Sequence, residues 1–388
     1  MIIEPKVRDY ICTTAHPLGC RENVKEQIQY VKTKGKFDGA KKVLVIGAST
    51  GYGLATRIAA AFGSGAATLG VMFEKQGTSR RTATAGWYNT LAFEEMAEAE
   101  GYYAKTINGD AFSKEVKEEV IEVIKKDLGK VDLVIYSLAA PRRAMADGTI
   151  YKSVLKTIGK PFTNKNLDLK NNEVNEATID SATEEEINAT IKVMGGEDWQ
   201  EWMKVLSEAD VLEEGAKTIA YSYIGPELTF PVYYKGTIGA AKAHLYETSL
   251  SITKMLAKKG IKAYISVNKA LVTQASSAIP IVPLYITLLY KVMKDKGLHE
   301  GCIEQMDRLL REKFKGESAE VDEEGLIRLD DYEMQEDVQK EVMANWNQIT
   351  TESLSEKADI KGYWEDFYHM FGFHFANVDY SQDINLEN

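Results

Sequence analysis

An α/β fold built on a doubly wound parallel sheet is the architecture that this sequence of 388 residues predicts. Over the first 150 residues, short β-rich runs alternate with stretches of helical periodicity, a pattern typical of a parallel sheet covered by helices. The first run also ends in a cluster of glycines that leads into an alanine-rich segment. In this part the predicted strands are 41–49, 66–74, 102–112 and 131–141, and the predicted helices are 53–63, 85–101 and 113–129.

The same alternation resumes after an interruption. From 142 to 217 the composition turns polar and acidic with weak periodicity, so we expect an inserted region that packs over the sheet edge. Within it, the acids of "GEDWQEW" (196–202) are expected on a solvated helix face anchored by the two tryptophans. The later predicted elements are a strand at 216–225, a helix at 242–259, a strand at 260–268, an amphipathic helix at 302–314, a hairpin at 321–331 and a helix at 332–346.

No linker rich in proline, glycine or serine divides the chain, so the sequence predicts one interlocked unit over residues 1–388. The expected Rossmann-type core comprises 40–150 and 216–275, with an insertion at 151–215 that covers the substrate site. Residues 276–388 are expected to supply a substrate-lining helix and a C-terminal extension. The apolar part of 275–293 is shorter than the roughly 20 residues of a membrane span, which predicts a buried or ligand-lining helix, with plain core as the alternative.

The charge of the chain argues against two classes of partner. A formal net charge of −11 disfavours nucleic acid and anionic membrane surfaces, because both bind basic proteins. The three cysteines, Cys12, Cys20 and Cys302, form no paired framework, which favours a reducing compartment. The N-terminus mixes charges early and lacks the apolar core of a signal peptide. We therefore expect a cytoplasmic protein.

The glycine cluster gives the most specific signal in the chain. In "VLVIGASTGYGLA" (43–55) a β-branched strand runs into Gly47, Gly51 and Gly53, and a helix follows. Glycines at such a turn let backbone N–H groups and the helix N-terminus approach a pyrophosphate closely. The G-x3-G-x-G spacing resembles that of the short-chain dehydrogenases/reductases, and the strand–turn–helix context predicts a dinucleotide site more strongly than glycines alone. A plain turn between strand and helix is the alternative.

An acid follows the next predicted strand, at the position that distinguishes NADH from NADPH. Glu74 lies 21 residues beyond Gly53. A carboxylate there can accept hydrogen bonds from the ribose hydroxyls and would repel a 2′-phosphate, so we expect NADH. The nearby cations Lys75, Arg80 and Arg81 could hold a phosphate and leave residual use of NADPH open.

Further cofactor contacts are expected at the ends of the predicted strands. Phe73 precedes Glu74, Asp110 and Ala111 end the third strand near the adenine, and Leu138 and Ala139 would lie under the nicotinamide half. Simple strand ends are the alternative for these residues.

A tyrosine and a lysine are the candidate catalytic pair. A tyrosine hydroxyl can donate a proton to an oxyanion, and a nearby lysine can bind the nicotinamide ribose and ease loss of that proton. Lys242 lacks the usual Tyr-x3-Lys partner, because Ile238 occupies that position. Tyr233 stands at Tyr-x8-Lys and Tyr234 at Tyr-x7-Lys, and spacing alone does not choose between them.

The whole chain resembles one family, the trans-2-enoyl-CoA reductases of the FabV-type enoyl-thioester reductases, whose pattern is Tyr-x8-Lys. The match rests on nine segments in the family's order rather than on any single motif. They are "HPLGC", "VIGASTGYGLATR", "AGWYN", "DAFS", "YSLAAPRR", "VMGGEDWQEW", "TIAYSYIGPE", "GTIGAAK" and "SVNKALVTQASSAIP".

The resemblance implies a role for particular residues. Tyr233 would be the proton donor, Lys242 its partner that contacts the cofactor, and Tyr223 a contact of the acyl substrate. The implied pyrophosphate contacts are Gly47, Ala48, Ser49, Thr50, Gly51 and Tyr52, and the implied nicotinamide contacts are Leu271, Val272 and Thr273. For Tyr234 the resemblance leaves a packing or rim position.

The activity implied by the resemblance is NADH-dependent reduction of the double bond of a trans-2-enoyl-CoA, within fatty-acid or butyrate-type metabolism. Acyl carrier protein is the alternative carrier of the acyl group, and a monomer or weak homodimer is expected. Two other classes stay open: a 3-oxoacyl-thioester reductase of the same fold, and a non-catalytic protein that senses NAD(H). His16 with Cys20 and His369 with His374 lack a second pair of ligands, so no metal site is predicted.

Overall fold

The β-rich runs of the sequence assemble into one parallel sheet in the computed structural model, which describes residues 1–8, 11–274, 276–315 and 318–384. Four short antiparallel ribbons accompany this sheet in the described part of the chain. The strands are β1 (Val7–Arg8), β2 (Ile11–Cys12), β3 (Lys42–Ile46), β4 (Ala67–Met72), β5 (Ala104–Asn108), β6 (Val131–Tyr136), β7 (Arg142–Ala144), β8 (Ile150–Lys152), β9 (Phe162–Asp168), β10 (Glu173–Ile179), β11 (Leu212–Ser222), β12 (Lys262–Val267), β13 (Phe314–Lys315), β14 (Ser318–Ala319) and β15 (Leu326–Arg328).

The sheet is doubly wound, as the sequence predicts. Its order is β15-β12-β11-β6-β3-β4-β5, and every neighbouring pair runs parallel. The chain proceeds outward from β3 through β4 to β5, then returns to the other side of β3 and continues outward through β6, β11 and β12. The order therefore reverses between β3 and β6, and ligands of such sheets bind at that point beyond the carboxyl ends of the strands.

Helices cover both faces of the sheet because its central strands are apolar on both faces. Along β3, Val45 packs into one core layer and Leu44 into the other, since successive side chains of a strand point to opposite faces. The helices are α1 (Pro17–Thr33), α2 (Gly51–Ile58), α3 (Ala85–Ala99), α4 (Lys114–Val123), α5 (Glu184–Met194), α6 (Glu197–Glu208), α7 (Thr237–Met255), α8 (Val282–Asp295), α9 (Cys302–Arg308), α10 (Glu336–Gln348), α11 (Leu354–Lys357) and α12 (Ile360–His369).

The predicted hairpin at 321–331 is wrong. Residues 326–328 form β15, which pairs in parallel with β12 and adds the last strand to one edge of the sheet. Leu326 and Ile327 are buried there, one in each of the core layers beside the sheet. Apolar side chains on both faces suit a strand of a covered parallel sheet better than a solvated hairpin.

The polar stretch forms two antiparallel ribbons, β7 with β8 and β9 with β10, followed by α5 and α6. The solvated face expected for "GEDWQEW" is wrong for Asp198, whose side chain is buried at the start of α6. It accepts hydrogen bonds from Lys117 Nζ at 2.8 Å and Tyr136 Oη at 3.1 Å. A carboxylate can be buried when donors of this kind replace its water. Trp199 and Trp202 are fully buried, which confirms the prediction that the two tryptophans anchor this helix.

The apolar stretch at 275–293 becomes α8, preceded by a short turn of 3₁₀-helix at Ser276–Ala278, while residue 275 lies outside the described residues. Together with α10 and α12, α8 forms a third core that belongs largely to the C-terminal part of the chain. No helix in the described ranges is both long enough and apolar enough to cross a bilayer.

Candidate active site

A cleft of about 1020 Å³ lies beyond the carboxyl ends of the parallel strands, at the point where the strand order reverses. The structure brings together in this cleft nearly all the residues predicted for the site. Those that line it are Gly47, Ser49, Thr50, Gly51, Tyr52, Phe73, Glu74, Asp110, Ala111, Leu138, Ala139, Tyr223, Tyr233, Lys242, Leu271, Val272 and Thr273.

The turn between β3 and α2, residues 47–52, forms a phosphate cradle. Gly47 has φ +85°, and a Cβ at this position would lie 2.3 Å from the carbonyl oxygen of Ser137. Within the described part of the chain, the backbone N–H groups of 49–52 have no hydrogen-bond partner. Free N–H groups at a helix N-terminus attract a phosphate, and the missing side chain at Gly47 keeps the turn close to the next strand. The geometry therefore fits a dinucleotide pyrophosphate.

Ala48 departs from the predicted set. Its side chain is fully buried and its N–H donates to the carbonyl oxygen of Val71 at 3.0 Å. Both groups are therefore used in the packing of β3 against β4, and Ala48 lies behind the wall of the cleft. Because 47–52 are consecutive, the sequence predicted all six as pyrophosphate contacts and could not show that Ala48 points away from the cleft.

Glu74 is held in place at the end of β4. Its Oε1 accepts a hydrogen bond from Ser49 Oγ at 2.6 Å, and its backbone exchanges two hydrogen bonds with the side chain of Asn108. This carboxylate therefore lies next to the phosphate cradle. The cations Lys75, Arg80 and Arg81 are exposed and are not among the residues that line the cleft.

Phe73 stands beside Glu74 with an exposed ring. Its relative exposure of 76% makes it the most exposed of the large apolar side chains in the described residues. A ring at the edge of the cleft can stack on a flat base without rearrangement, which is consistent with the cofactor contact predicted for Phe73.

Lys242 lies in the first turns of α7, with its ammonium directed at the end of β11. Nζ donates to the carbonyl oxygen of Tyr221 at 2.9 Å. Burial lowers the pKa of Lys242 to about 8, because a charged ammonium is poorly solvated there. The lysine is thus mostly charged at neutral pH and loses its charge within a unit or two above it.

Tyr233 and Tyr234 lie in different environments, which separates the two candidates. Tyr233 lines the cleft, and its ring packs edge to face on Tyr223 with centroids 4.9 Å apart. Its hydroxyl has no hydrogen-bond partner among the described residues, and burial raises its pKa to about 12. Tyr234 is 50% exposed, contacts the ring of Phe230 and does not line the cleft. The geometry thus places Tyr233, not Tyr234, where a ligand of the cleft can reach it.

The small residues between Tyr233 and Lys242 serve the turn itself. A Cβ at Gly239 would lie 1.8 Å from the carbonyl oxygen of Tyr234, so only glycine lets α7 begin this close to the preceding loop. The N–H of Gly239 also donates to the carbonyl oxygen of Tyr233 at 2.9 Å. This close approach fixes the backbone of the tyrosine relative to the helix that carries the lysine.

The loop after β12 is anchored by residues that sequence reasoning missed. The N–H of Ala270 donates to Glu333 Oε2 at 2.7 Å, and the N–H of Val272 donates to Tyr290 Oη at 3.1 Å. Tyr290 in turn donates to Asp366 Oδ2 at 2.7 Å. The acids Glu333 and Asp366 look like ordinary surface acids in sequence, and no local pattern marks them.

The apolar helix α8 contributes little of its surface to the cleft. Among the described residues of α8, Tyr290 is the one that lines the cleft. Leu284, Ile286 and Leu288 are fully buried in the third core. The packing of these side chains is that of a core helix, and an acyl-lining role remains a prediction.

Two descriptions of family regions match consecutive parts of the chain. Residues 2–79 match the NAD(P)H binding domain of trans-2-enoyl-CoA reductase, and residues 81–314 match the trans-2-enoyl-CoA reductase catalytic region. The first match contains the phosphate cradle, and the second contains Tyr233 and Lys242.

Residues 321–384 match a third description, the enoyl reductase FAD binding domain. A flavin dinucleotide requires a cradle for its diphosphate, commonly rich in glycine. The glycines of this segment, Gly325, Gly362 and Gly372, are isolated in sequence, and its buried Glu333 and half-buried Asp366 accept hydrogen bonds from protein groups. These residues do not fit a flavin diphosphate, and we assign no flavin chemistry to them.

Several known proteins are similar to this chain over its full length. An enoyl-(acyl-carrier-protein) reductase (NADH) of Flavobacterium johnsoniae is 59% identical, with 99% of this chain and 98% of that protein covered. A trans-2-enoyl-CoA reductase (NADH) of Clostridium perfringens is 57% identical, with 100% and 99% covered. The crystal structure of Treponema denticola trans-2-enoyl-CoA reductase in complex with NAD matches with a TM-score of 0.96 and 50% identity over 99% of this chain and 98% of that one. The chain therefore belongs to the trans-2-enoyl-CoA reductase family.

Proposed function

We propose that this protein is an NADH-dependent reductase of the carbon–carbon double bond of trans-2-enoyl-CoA thioesters. The observation that carries the proposal is the joint presence of the phosphate cradle, Tyr233 and Lys242 in one cleft. A protein that only senses NAD(H) has no use for an unpartnered tyrosine hydroxyl and a lysine together in one cleft.

The proposed chemistry divides between cofactor and protein. Bound NADH supplies a hydride to the β-carbon of the unsaturated thioester, so that negative charge develops on the thioester oxygen. Tyr233 is protonated at neutral pH because its pKa is about 12, and its free hydroxyl can donate to that oxygen. Lys242 contributes positive charge to the same cleft below pH 8. A proton at the α-carbon then completes the saturated acyl thioester.

The direction of the pKa shift sharpens the expected role of Tyr233. A tyrosine poised to lose its proton would have a lowered pKa, whereas burial raises that of Tyr233. In the free protein, Tyr233 is therefore a hydrogen-bond donor, and stabilising the developing charge is its main contribution.

NADH is the cofactor of the proposed reaction. Glu74 is anchored to Ser49 beside the phosphate cradle, where a carboxylate favours free ribose hydroxyls over a 2′-phosphate. The exposed positions of Lys75, Arg80 and Arg81 give a phosphate no enclosed site. The names of the relatives, which specify NADH, support the same choice.

The carrier of the acyl group is either coenzyme A or acyl carrier protein. We expect coenzyme A as the main carrier and acyl carrier protein as the alternative, since similar relatives carry both names. Equal concentrations of crotonyl-CoA and of crotonyl-acyl carrier protein, compared by kcat/KM, separate these carriers.

The absorbance of NADH tests the function with three mixtures. Rapid loss of absorbance with crotonyl-CoA, and none with acetoacetyl-CoA or without an acyl substrate, is the expected result. Loss with acetoacetyl-CoA alone would instead identify a carbonyl reductase. Binding of NADH without consumption in any mixture would identify a sensor and contradict the proposal.

The setting of the protein is also part of the proposal. We expect a cytoplasmic enzyme that is a monomer or weak homodimer, and light scattering at several protein concentrations measures its mass. The proposed organisation is a cofactor-binding core at 40–150 and 216–275, a covering insertion at 151–215 and a C-terminal extension at 276–388. Limited proteolysis with and without NADH tests these boundaries.

A further inference from the structure

A buried carboxylate lies behind the wall of the cleft and accepts hydrogen bonds from three groups, one of which belongs to a residue that lines the cleft. Glu333 follows β15 and is 0% exposed. Its Oε1 accepts hydrogen bonds from Tyr285 Oη at 2.6 Å and Tyr223 Oη at 3.1 Å, and its Oε2 accepts one from the N–H of Ala270 at 2.7 Å. We call Glu333 and these three partners the carboxylate clamp.

The clamp reaches Tyr233 through Tyr223. A hydroxyl that donates to Glu333 fixes the far edge of the Tyr223 ring, and this ring packs edge to face on Tyr233 at 4.9 Å between centroids. The proton of Tyr223 is thereby engaged with Glu333, while the hydroxyl of Tyr233 stays unpartnered among the described residues. Of these two neighbouring tyrosines, the clamp therefore fixes Tyr223 and leaves Tyr233 free to donate.

The same carboxylate sets the start of the loop at 271–273. Its bond to the N–H of Ala270 holds the residue immediately before Leu271, and Tyr290 with Asp366 holds Val272. Lys269 supports this arrangement, because its Nζ donates to the carbonyl oxygen of Ala270 at 3.0 Å. The loop and Tyr233 are thus tied to one buried group.

We propose that Glu333 is a positioning residue for the reduction, which holds Tyr233 and the loop at 271–273 in the mutual geometry that turnover requires. The proposal rests on the proposed reductase function and adds a residue from the C-terminal segment to it. Glu333 does not line the cleft and acts through Tyr223 and Ala270. Its loss is therefore expected to change the rate of reaction more than the affinity for NADH, which the phosphate cradle provides.

Glu333→Gln is the first test, because it preserves shape while replacing one acceptor oxygen by a donor. Displacement of reacting groups by about 1 Å can cost 10²-fold in rate, so we expect kcat with crotonyl-CoA to fall by about 10- to 100-fold. The Kd of NADH, from fluorescence titration, should change by less than about threefold. An unchanged kcat overturns the proposal.

Asp330→Asn is the matched control. Asp330 is also 0% exposed, lies in the same segment and accepts hydrogen bonds from Arg328 rather than from cleft residues. This variant should lower the thermal midpoint while kcat per folded molecule stays near that of the wild type. If both variants lose kcat only in proportion to their folded fraction, Glu333 is merely structural and the proposal fails.

Tyr223→Phe extends the test should Glu333→Gln fail to fold. The variant keeps the ring but removes the bond to Glu333, so kcat should fall without loss of NADH binding. Where Glu333→Gln does fold, the double variant should lose no more than the larger single loss, because both changes break one interaction. Full additivity, or wild-type kcat in Tyr223→Phe, contradicts the proposal. Turnover by the wild type tests the reductase function separately, because a wild type inactive with every enoyl thioester refutes that function and not the clamp.

Discussion

The phosphate cradle and the carboxylate clamp border the same cleft but are specified in opposite ways. The cradle is a run of six consecutive residues, of which 49–52 have unpartnered backbone N–H groups among the described residues, and its glycines are visible in the sequence. The clamp joins Glu333 to Tyr223 across 110 positions of the chain and to Ala270 across 63. The cradle is suited to binding a cofactor, and the clamp to fixing the groups that react. Variants on the two sides should therefore separate binding from turnover.

The largest effect is expected from Tyr233→Phe, which should lower the rate of turnover. Removal of a positioned proton donor typically costs about 10²–10⁴-fold in rate, and the remaining ring should preserve NADH binding. Steady-state kinetics with crotonyl-CoA measure the rate, and fluorescence titration measures the affinity. Tyr234→Phe is the control and should retain the wild-type rate, because Tyr234 is half exposed outside the cleft. Similar losses in both variants would sink the assignment.

Gly47→Ala should instead weaken the binding of NADH. The new Cβ would lie 2.3 Å from the carbonyl oxygen of Ser137 at φ +85°, so the cradle must shift. We expect the Kd of NADH to rise by about tenfold or more. Gly35→Ala is the control, because Gly35 also has a positive φ, at +75°, but no heavy atom within 4 Å of its Cβ. Unaltered NADH binding in Gly47→Ala would contradict the cradle.

A pH profile tests Lys242, which is expected to contribute both to cofactor binding and to turnover. Its lowered pKa means that the charge is present below about 8 and lost as the pH rises through about 8. With that charge required, kcat/KM should fall by about tenfold per pH unit above that value. Lys242→Arg, whose guanidinium stays charged, should remove this fall even at a lower overall rate. A profile that is flat to pH 10 in the wild type would argue against a role for the charge.

The smallest effect is expected at Glu74. Glu74→Gln keeps the hydrogen bonding to Ser49 but removes the negative charge, so the preference for NADH over NADPH should fall by roughly fivefold, the size of a partly exposed charge interaction. The ratio of kcat/KM for the two cofactors measures this change. Arg80→Ala and Arg81→Ala should leave the ratio unaltered, and a loss of NADPH use in those variants would show that the exposed cations contribute.

Sequence reasoning succeeded where structure depends on neighbours in the chain. The strands β3 to β6, β11 and β12 and the glycine turn are local patterns of apolar runs, periodicity and spacing, and the structure contains each of them. It failed where distant residues decide. Leu326 pairs with β12 instead of forming a hairpin, and Asp198 is buried because Lys117 supplies a donor from another helix.

The candidate site divides in the same way. Tyr233 could be ranked above Tyr234 only through the resemblance to a family, since spacing from Lys242 allows both. The structure adds a physical reason, because Gly239 and Tyr223 place the first tyrosine in the cleft and leave the second outside it. Glu333 could not be predicted, because a buried acid far along the chain leaves no local pattern.

The fate of the hydride tests the central claim most directly. Crotonyl-CoA is incubated with the protein and with NADH carrying deuterium at the transferred position of C4, and the product is examined by mass spectrometry and NMR. The account predicts butyryl-CoA with one deuterium at the β-carbon. Unchanged crotonyl-CoA with NADH bound, or deuterium at the α-carbon, would contradict it.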